Sequence, residues 1–416
     1  MPSRILLLLA LGAVLSIGHA QAEEPEGLAA DTRIDEVQID GLWRAKPFVV
    51  TRELPWKAGE VVTPEQWQLG LDRLWNMSLF SRVNARVITD GERKIAKLDL
   101  EERFTLNPLF KYAITKKAGG DTVWWLRVGL SDNNLFGRFI EFGAQYERFG
   151  SFNGGQFWLK QPRLFDRRLI GLFQIERLAR PRPGFVVFRA LARFEVSGEV
   201  HDRLAFLGRT DFIADSFQPP VSDEPPTVPR SNQGALLTAG VRFGRVDLDR
   251  LRHKRWQLQI QPTLGLTNDA AGRTFGQVWS EFLWFLPFGS RGTVALRVQG
   301  AAMTHAGLQN RYYIGGLDLV RGLPDNAIRT NAFGLGNFEV RFIAFDSMLL
   351  ALVPTLFVDG VIAAGDDGGP MRSEATAGGG CRFLIPRLVA TGMRVDVAVP
   401  LRGGGPQASV GVYQFF

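Results

Sequence analysis

The sequence predicts a transmembrane, antiparallel β-barrel of sixteen strands preceded by one small α/β domain. Three features of the 416-residue chain point there: a leader-like start, a segment near the N-terminus that mixes helical and strand periodicities, and period-two alternation from about Asn107 onward. These divide it into residues 1–22, 33–103 and 104–416.

The start carries one basic residue, Arg4, then an apolar run over 5–17, then Ala20-Gln21-Ala22 followed by Glu23 and Glu24. This is the pattern of a secretory signal peptide cleaved after Ala22. No later stretch reaches the roughly 18 apolar residues a membrane helix needs, so any spanning must be done by strands. A single cysteine, Cys381, forms no intramolecular disulfide and reads as a small buried thiol. The net charge of +7 comes from arginines spread along strands opposite apolar residues. Nucleic-acid binding needs such residues gathered in one patch with aromatics, whereas a charge-paired, water-filled lumen accommodates them as they stand.

Within 33–103, residues 34–39 alternate as a strand. Thr63-Pro64-Glu65-Gln66 combines a capping Thr, a Pro at the first helical position and a Gln three residues on, so a helix starts there. Trp67, Leu71, Leu74 and Trp75 share one face of it and read as core. Ser78-Leu79-Phe80 then leads into a hairpin of 83–88 with 95–100, turning at Asp90-Gly91.

In the third segment Ile140, Phe142, Ala144 and Tyr146 oppose Glu141, Gly143, Gln145 and Glu147. Met393, Val395, Val397 and Val399 likewise oppose Arg394, Asp396 and Ala398. A soluble sandwich also alternates. Large apolar residues along one face of segments about ten residues long, with charges at mid-strand on the other, favour a membrane barrel. Turns on one side are expected near Phe136-Gly137, Phe165-Asp166, Gly198, Leu248-Asp249, 287–289, Asp346 and Pro386. Longer connections fall on the other side, including the proline-rich run 218–229, which cannot join a ladder.

The sixth long connection, between Met303 and Asn331, contains Gly315-Gly316-Leu317-Asp318-Leu319-Val320-Arg321-Gly322-Leu323. It is too polar and Gly-rich for a strand, and it carries one arginine. On the strand over 337–342, Glu339 shares the polar face with Asn337 and Arg341; on the next, Asp359 lies opposite Leu356 and Val358. An arginine loop beside two carboxylates on neighbouring strands predicts a buried, charge-assisted clamp.

Together these residues resemble the BamA/TamA superfamily of outer-membrane assembly and secretion barrels, the bacterial surface antigen proteins. Residues 33–103 look like one polypeptide-transport-associated (POTRA) domain, including Leu74-Trp75-Asn76-Met77-Ser78-Leu79-Phe80-Ser81-Arg82-Val83. Asp132-Asn133-Asn134-Leu135-Phe136-Gly137 and Pro162-Arg163-Leu164-Phe165-Asp166 are similar to the family's early strand turns, and Val320-Arg321-Gly322-Leu323 to its arginine-glycine loop motif. The resemblance implies that the loop folds into the lumen and that Arg321 pairs with Glu339 and Asp359. Leu323 departs from it, standing where an aromatic is common. At the C-terminus Ser409, Gly411 and Phe416 fit the family's assembly signal, while Gln414 sits where a hydrophobic residue is usual. A single POTRA domain with about ten residues before its first strand marks a short member.

The implied function is insertion or translocation of polypeptides at the outer membrane of a Gram-negative cell, with the domain in the periplasm. Lipid surrounds the barrel, and client polypeptides or a periplasmic partner engage the domain at the 83–88 edge. A passive or secretion-type pore is the alternative. A surface hydrolase is disfavoured: after the leader only His201, His253 and His305 remain. His253 sits in a basic turn that reads as a solvated face, and His305 lacks a Gly-x-Ser-x-Gly motif or an evident base partner. No His/Asp/Glu group has metal-ligand spacing, so neither a catalytic residue, a metal nor a cofactor is expected.

Overall fold

The structure, a computed structural model, describes residues 28–116, 122–201, 203–218, 231–249, 251–269, 273–304, 306–365, 369–388 and 392–412. The expected leader, His305, Gln414, Phe416 and most of the proline-rich run lie outside them.

The N-terminal unit comprises β1 (Thr32–Arg33), β2 (Glu36–Asp40), helix α1 (Pro47–Thr51), β3 (Val61–Val62), helix α2 (Pro64–Asn76), β4 (Phe80–Asp90) and β5 (Arg93–Glu102). Strand β5 is central, parallel to β2 and antiparallel to β4, while β1 pairs with β3. The strand expected over 34–39 is broken, because Ile34 turns fully into the core and regular pairing begins only at Glu36. Helix α1 escaped the sequence pattern: at five residues, with only Val49 and Val50 buried, it is too short to show a period. Helix α2 starts as expected. The Gln66 amide donates to Thr63 Oγ1 at 3.3 Å and the Thr63 amide to Gln66 Oε1 at 3.0 Å, which satisfies two otherwise orphaned donors. Its apolar face brings Trp67, Leu71 and Leu74 against Val50, Val62, Phe80 and Leu98, and Trp67 stacks on Trp56 at 5.7 Å. This is a complete core of its own.

The barrel begins with β6 (Leu106–Lys116), β7 (Thr122–Leu135), β8 (Ile140–Phe149), β9 (Phe152–Gln161), β10 (Leu169–Arg182) and β11 (Phe185–His201). It continues with β12 (Leu204–Gln218), β13 (Ser231–Asp249), β14 (Arg252–Thr267), β15 (Thr274–Phe288) and β16 (Gly292–Met303). After the long connection, which holds the small hairpin β17 (Tyr312–Ile314) and β18 (Ile328–Thr330), come β19 (Ala332–Phe342) and the two-residue β20 (Phe345–Asp346). The wall ends with β21 (Ala351–Ala363), β22 (Arg372–Leu384), β23 (Gly392–Pro400) and β24 (Gln407–Val412). Among the described residues, and setting β20 aside, sixteen strands close into a barrel with β24 beside β6. One turn is misplaced by the sequence reading: Gly198 lies inside β11, which runs on through a bulge to pair His201 with Leu204.

Burial in the barrel is inside out. Phe194, Phe212, Leu237, Val278, Phe338 and Leu356 are exposed, whereas Glu147, Arg189, Asp211, Asp215 and Glu339 are buried. Apolar residues face outward and ion pairs line the interior, as a transmembrane barrel requires. No described helix is long and apolar enough to cross a membrane. Cys381 departs from its expected burial: it is half-exposed, because it falls on the outward face of β22 next to the inward, buried Arg382.

The N-terminal unit is tied to three turns at one end of the barrel. Glu102 accepts from the backbone amides of Trp43, Arg44 and Ala45, and Arg44 reaches across to Thr105 and Asp132. Gly137 sits in the left-handed region at φ +71°, where a Cβ would lie 2.2 Å from the Arg44 carbonyl oxygen, while the Lys46 amide donates to the Gly137 carbonyl. Arg163, after β9, forms a forked pair with Glu53. Under α2, the buried Asp72 faces Lys254 and Arg255 at 3.1 Å each, and Asp247 on β13 accepts from Asn76 and Arg255.

Two outcomes follow from these contacts. Residues 28–103 expressed alone should melt cooperatively, and Thr63→Ala should lower their stability by about 1 kcal/mol; a spectrum without a folded baseline would reject the unit as autonomous. Asp72→Ala in the full chain should strand the facing cations and loosen the unit, raising protease cleavage near residue 103 while the isolated unit's melting changes little.

Candidate functional site

The connection between β16 and β19 folds into the barrel. Its tip is shaped by Gly322, which adopts φ +84° and packs so closely on β23 that a Cβ would lie 2.9 Å from that of Ala398. Only glycine meets both demands. The turn points Val320 into a small apolar cluster with Ile314, Ile328, Leu335 and Val361, and Leu323 packs at its margin. Leu323, standing where the resemblance has an aromatic, is partly buried against this cluster.

Arg321, only 3 % exposed, points at the wall. Its backbone amide and Nε both donate to Asp359 Oδ2, at 3.0 and 2.7 Å, and Nη2 donates to Asp359 Oδ1 at 2.6 Å. Nη1 reaches Glu339 Oε1 at 2.5 Å. The guanidinium also lies over the Phe357 ring, 3.5 Å from its centroid. Burial disfavours its charge, and the hydrogen bonds to Asp359 and Glu339 together with the nearby carboxylate of Asp396 offset that cost.

The cluster is larger than the expected three residues. Glu339 Oε2 accepts from Arg341 Nε at 2.6 Å and from Arg382 Nη2 at 2.7 Å, so one carboxylate joins three guanidinium groups. Asp396 on β23 lies 3.9 Å from Arg321 and accepts from Arg394 at 2.9 Å. Three wall residues also hold the loop's own carbonyls: Arg394 that of Leu317, Arg297 that of Asp318, and Asn337 that of Leu319. Alternation puts Asn337, Arg341, Arg394 and Asp396 on polar faces; which of them converge on the loop depends on cross-strand register, which alternation within a strand does not encode.

The same connection reaches the opposite wall. Arg189 of β11, paired with Asp215, donates to Asn310 at 2.8 Å; Arg182 at the end of β10 donates to Asn326 at 2.8 Å and covers the Tyr313 ring at 4.2 Å. The loop is a strut across the interior, anchored on β10–β11 at one side and on β16–β23 at the other. Ser409 and Gly411, by contrast, pair with Asp396 and Arg394 across β23–β24 and so lie on the interior face beside the cluster.

Replacing Arg321 takes from Asp359 the guanidinium that pairs with it, while Glu339 keeps Arg341 and Arg382, a change of about 3–5 kcal/mol locally. Arg321→Ala should impair function more than it lowers the amount of protein in the membrane. Arg321→Lys should restore little, since an ammonium cannot span Asp359 and Glu339 with a planar fork. Limited proteolysis of the loop, compared with surface abundance, separates the two effects.

No family model matches the chain, and no curated protein sequence does. Solved structures do. CdiB from Escherichia coli matches with a TM-score of 0.61 at 13 % identity, over 91 % of this chain and 75 % of that one. CdiB from Acinetobacter baumannii gives 0.55 at 14 % identity, over 89 % and 70 %. BamA from Haemophilus ducreyi lacking POTRA domains 1–3 gives 0.53 at 14 % identity, over 91 % and 84 %. With sixteen strands and an inside-out distribution of polarity, this chain has the fold of the BamA- and CdiB-type barrels.

Proposed function

We propose that the chain is an outer-membrane protein that inserts polypeptides into, or translocates them across, that membrane, with residues 33–103 acting as a periplasmic POTRA domain. One observation carries this reading. The interior is crossed by a strut that a simple diffusion pore has no need of, held by Arg321, Glu339, Asp359 and Asp396 on one wall and by Arg182 and Arg189 on the other. The likeness in fold to BamA and CdiB supports it.

In this reading the chemistry is backbone pairing, and it needs no nucleophile. Strand β4 is an edge of the order β2-β5-β4, so an extended client could add beside it through main-chain hydrogen bonds. At the seam, β24 extends over only six described residues, with Gly411 among them and Pro406 just before. Glycine adds no side-chain packing there and proline no ladder donor, so the strand is weakly held and able to yield to an incoming strand.

The test is a lock on the seam. With Cys381 replaced by Ser, cysteines at positions 113 and 412 are oxidised, and client delivery is followed in whole cells together with pore conductance. Delivery should fall while conductance survives. Unchanged delivery in a fully crosslinked population would move the route into the lumen and put the passive or secretion-type pore ahead.

A further inference from the structure

At the end of the barrel that carries the N-terminal unit, the interior holds a cavity of about 40 Å³. Its polar lining is Arg252, His253, Arg291, Thr293, Arg341 and Arg382; the rest is aliphatic, and no carboxylate is among the residues that line it. These side chains come from four different strands and the turns between them, so register alone brings them together. His253 is therefore not on a solvated face: it pairs with Leu248 across β13–β14, and its ring lies 5.0 Å from that of Phe285.

Arg341 and Arg382 are both more than nine-tenths buried, and both give an edge to the same Glu339 oxygen. That carboxylate is already shared with Arg321. The cavity lies against these two arginines, on a side where Arg252, itself paired with Asp249 at 3.2 Å, and the exposed Arg291 add further cationic groups and Thr293 a hydroxyl. Converging cationic donors around a partly open space whose lining holds no acid favour a negative guest, since the geometry supplies several charge-assisted hydrogen bonds. The volume is that of a few waters, or of one tetrahedral oxyanion.

We propose that this cavity is a binding site for a phosphate-type oxyanion, either free phosphate or the phosphate of a lipid headgroup, held by Arg252, Arg291, Arg341 and Arg382 with Thr293 as a further donor.

The experiment uses the full chain, purified in detergent and stripped of lipid, and titrates it calorimetrically at constant ionic strength with inorganic phosphate, with a short-chain phosphatidic acid and with chloride. Phosphate or the lipid should bind saturably and chloride should not. Binding of phosphate identifies a free-ion site; binding of the lipid alone identifies a headgroup site. Arg291→Gln, which leaves the pairs to Glu339 intact, should weaken binding about tenfold or more, as expected for loss of one charge-assisted hydrogen bond. If circular dichroism shows that this variant is not folded, His253→Gln, expected to weaken binding by altering the cavity wall, takes its place. The proposal is overturned if neither phosphate compound binds more tightly than chloride, or if the folded variant binds as well as the parent.

Discussion

The structure depends on one buried charge, the guanidinium of Arg321. A cation taken out of water is costly unless its donors and its charge are both met, and here Asp359 and Glu339 meet them with four hydrogen bonds, one of them from the backbone amide. Such an array is strict about geometry rather than strong in net terms. Asp359 and Glu339 stand on neighbouring strands, with Glu339 paired to Phe357 and Asp359 to Asn337, so a slip of either strand by one residue would turn a carboxylate outward. The arginine thus fixes the register of the wall as much as the wall fixes the loop.

From that point the remaining organisation follows. Once the tip is set, the hairpin of β17 and β18 is carried across the interior to Arg182 and Arg189, whose pairing with Asp215 orients the far anchor. Interior space is filled largely by ion pairs, with the small apolar cluster around Val320 beside them, and the large apolar surface is left to the outside. The N-terminal unit solves the reverse problem: its core is conventional, and its charged contacts lie at its border with the barrel.

How much of this is legible in the sequence depends on the range of the interaction. The α2 cap is legible because Thr63, Pro64 and Gln66 act within one helical turn, and the strands are legible because alternation is local. Arg321, Glu339 and Asp359 could be singled out because each stands against its own background: an arginine in a glycine-rich loop, and carboxylates on the polar faces of otherwise apolar strands. Arg382, Arg394 and Asp396 could not be assigned to the same cluster, since their convergence is fixed by registers across β21–β22 and β22–β23. The same limit explains the misplaced turn at Gly198, where a glycine inside a long strand looks like punctuation, and the misread surroundings of His253.

The two sides of the seam are fastened to different bodies. On the side of β24, the neighbouring strand β23 is held through Arg394 and Asp396 to the loop inside the barrel. On the side of β6, Thr105 and Asp132 are held through Arg44 to the N-terminal unit outside it. A rigid displacement of that unit therefore pulls on the β6 lip through Arg44, while Phe104, which bridges to Leu388 and donates its amide to the Arg387 carbonyl, passes part of the pull to the turn before β23. Mechanical work done on the N-terminal unit thus has a defined path into the wall, and it reaches both sides of the closure, directly at β6 and through the turn before β23 on the side of β24.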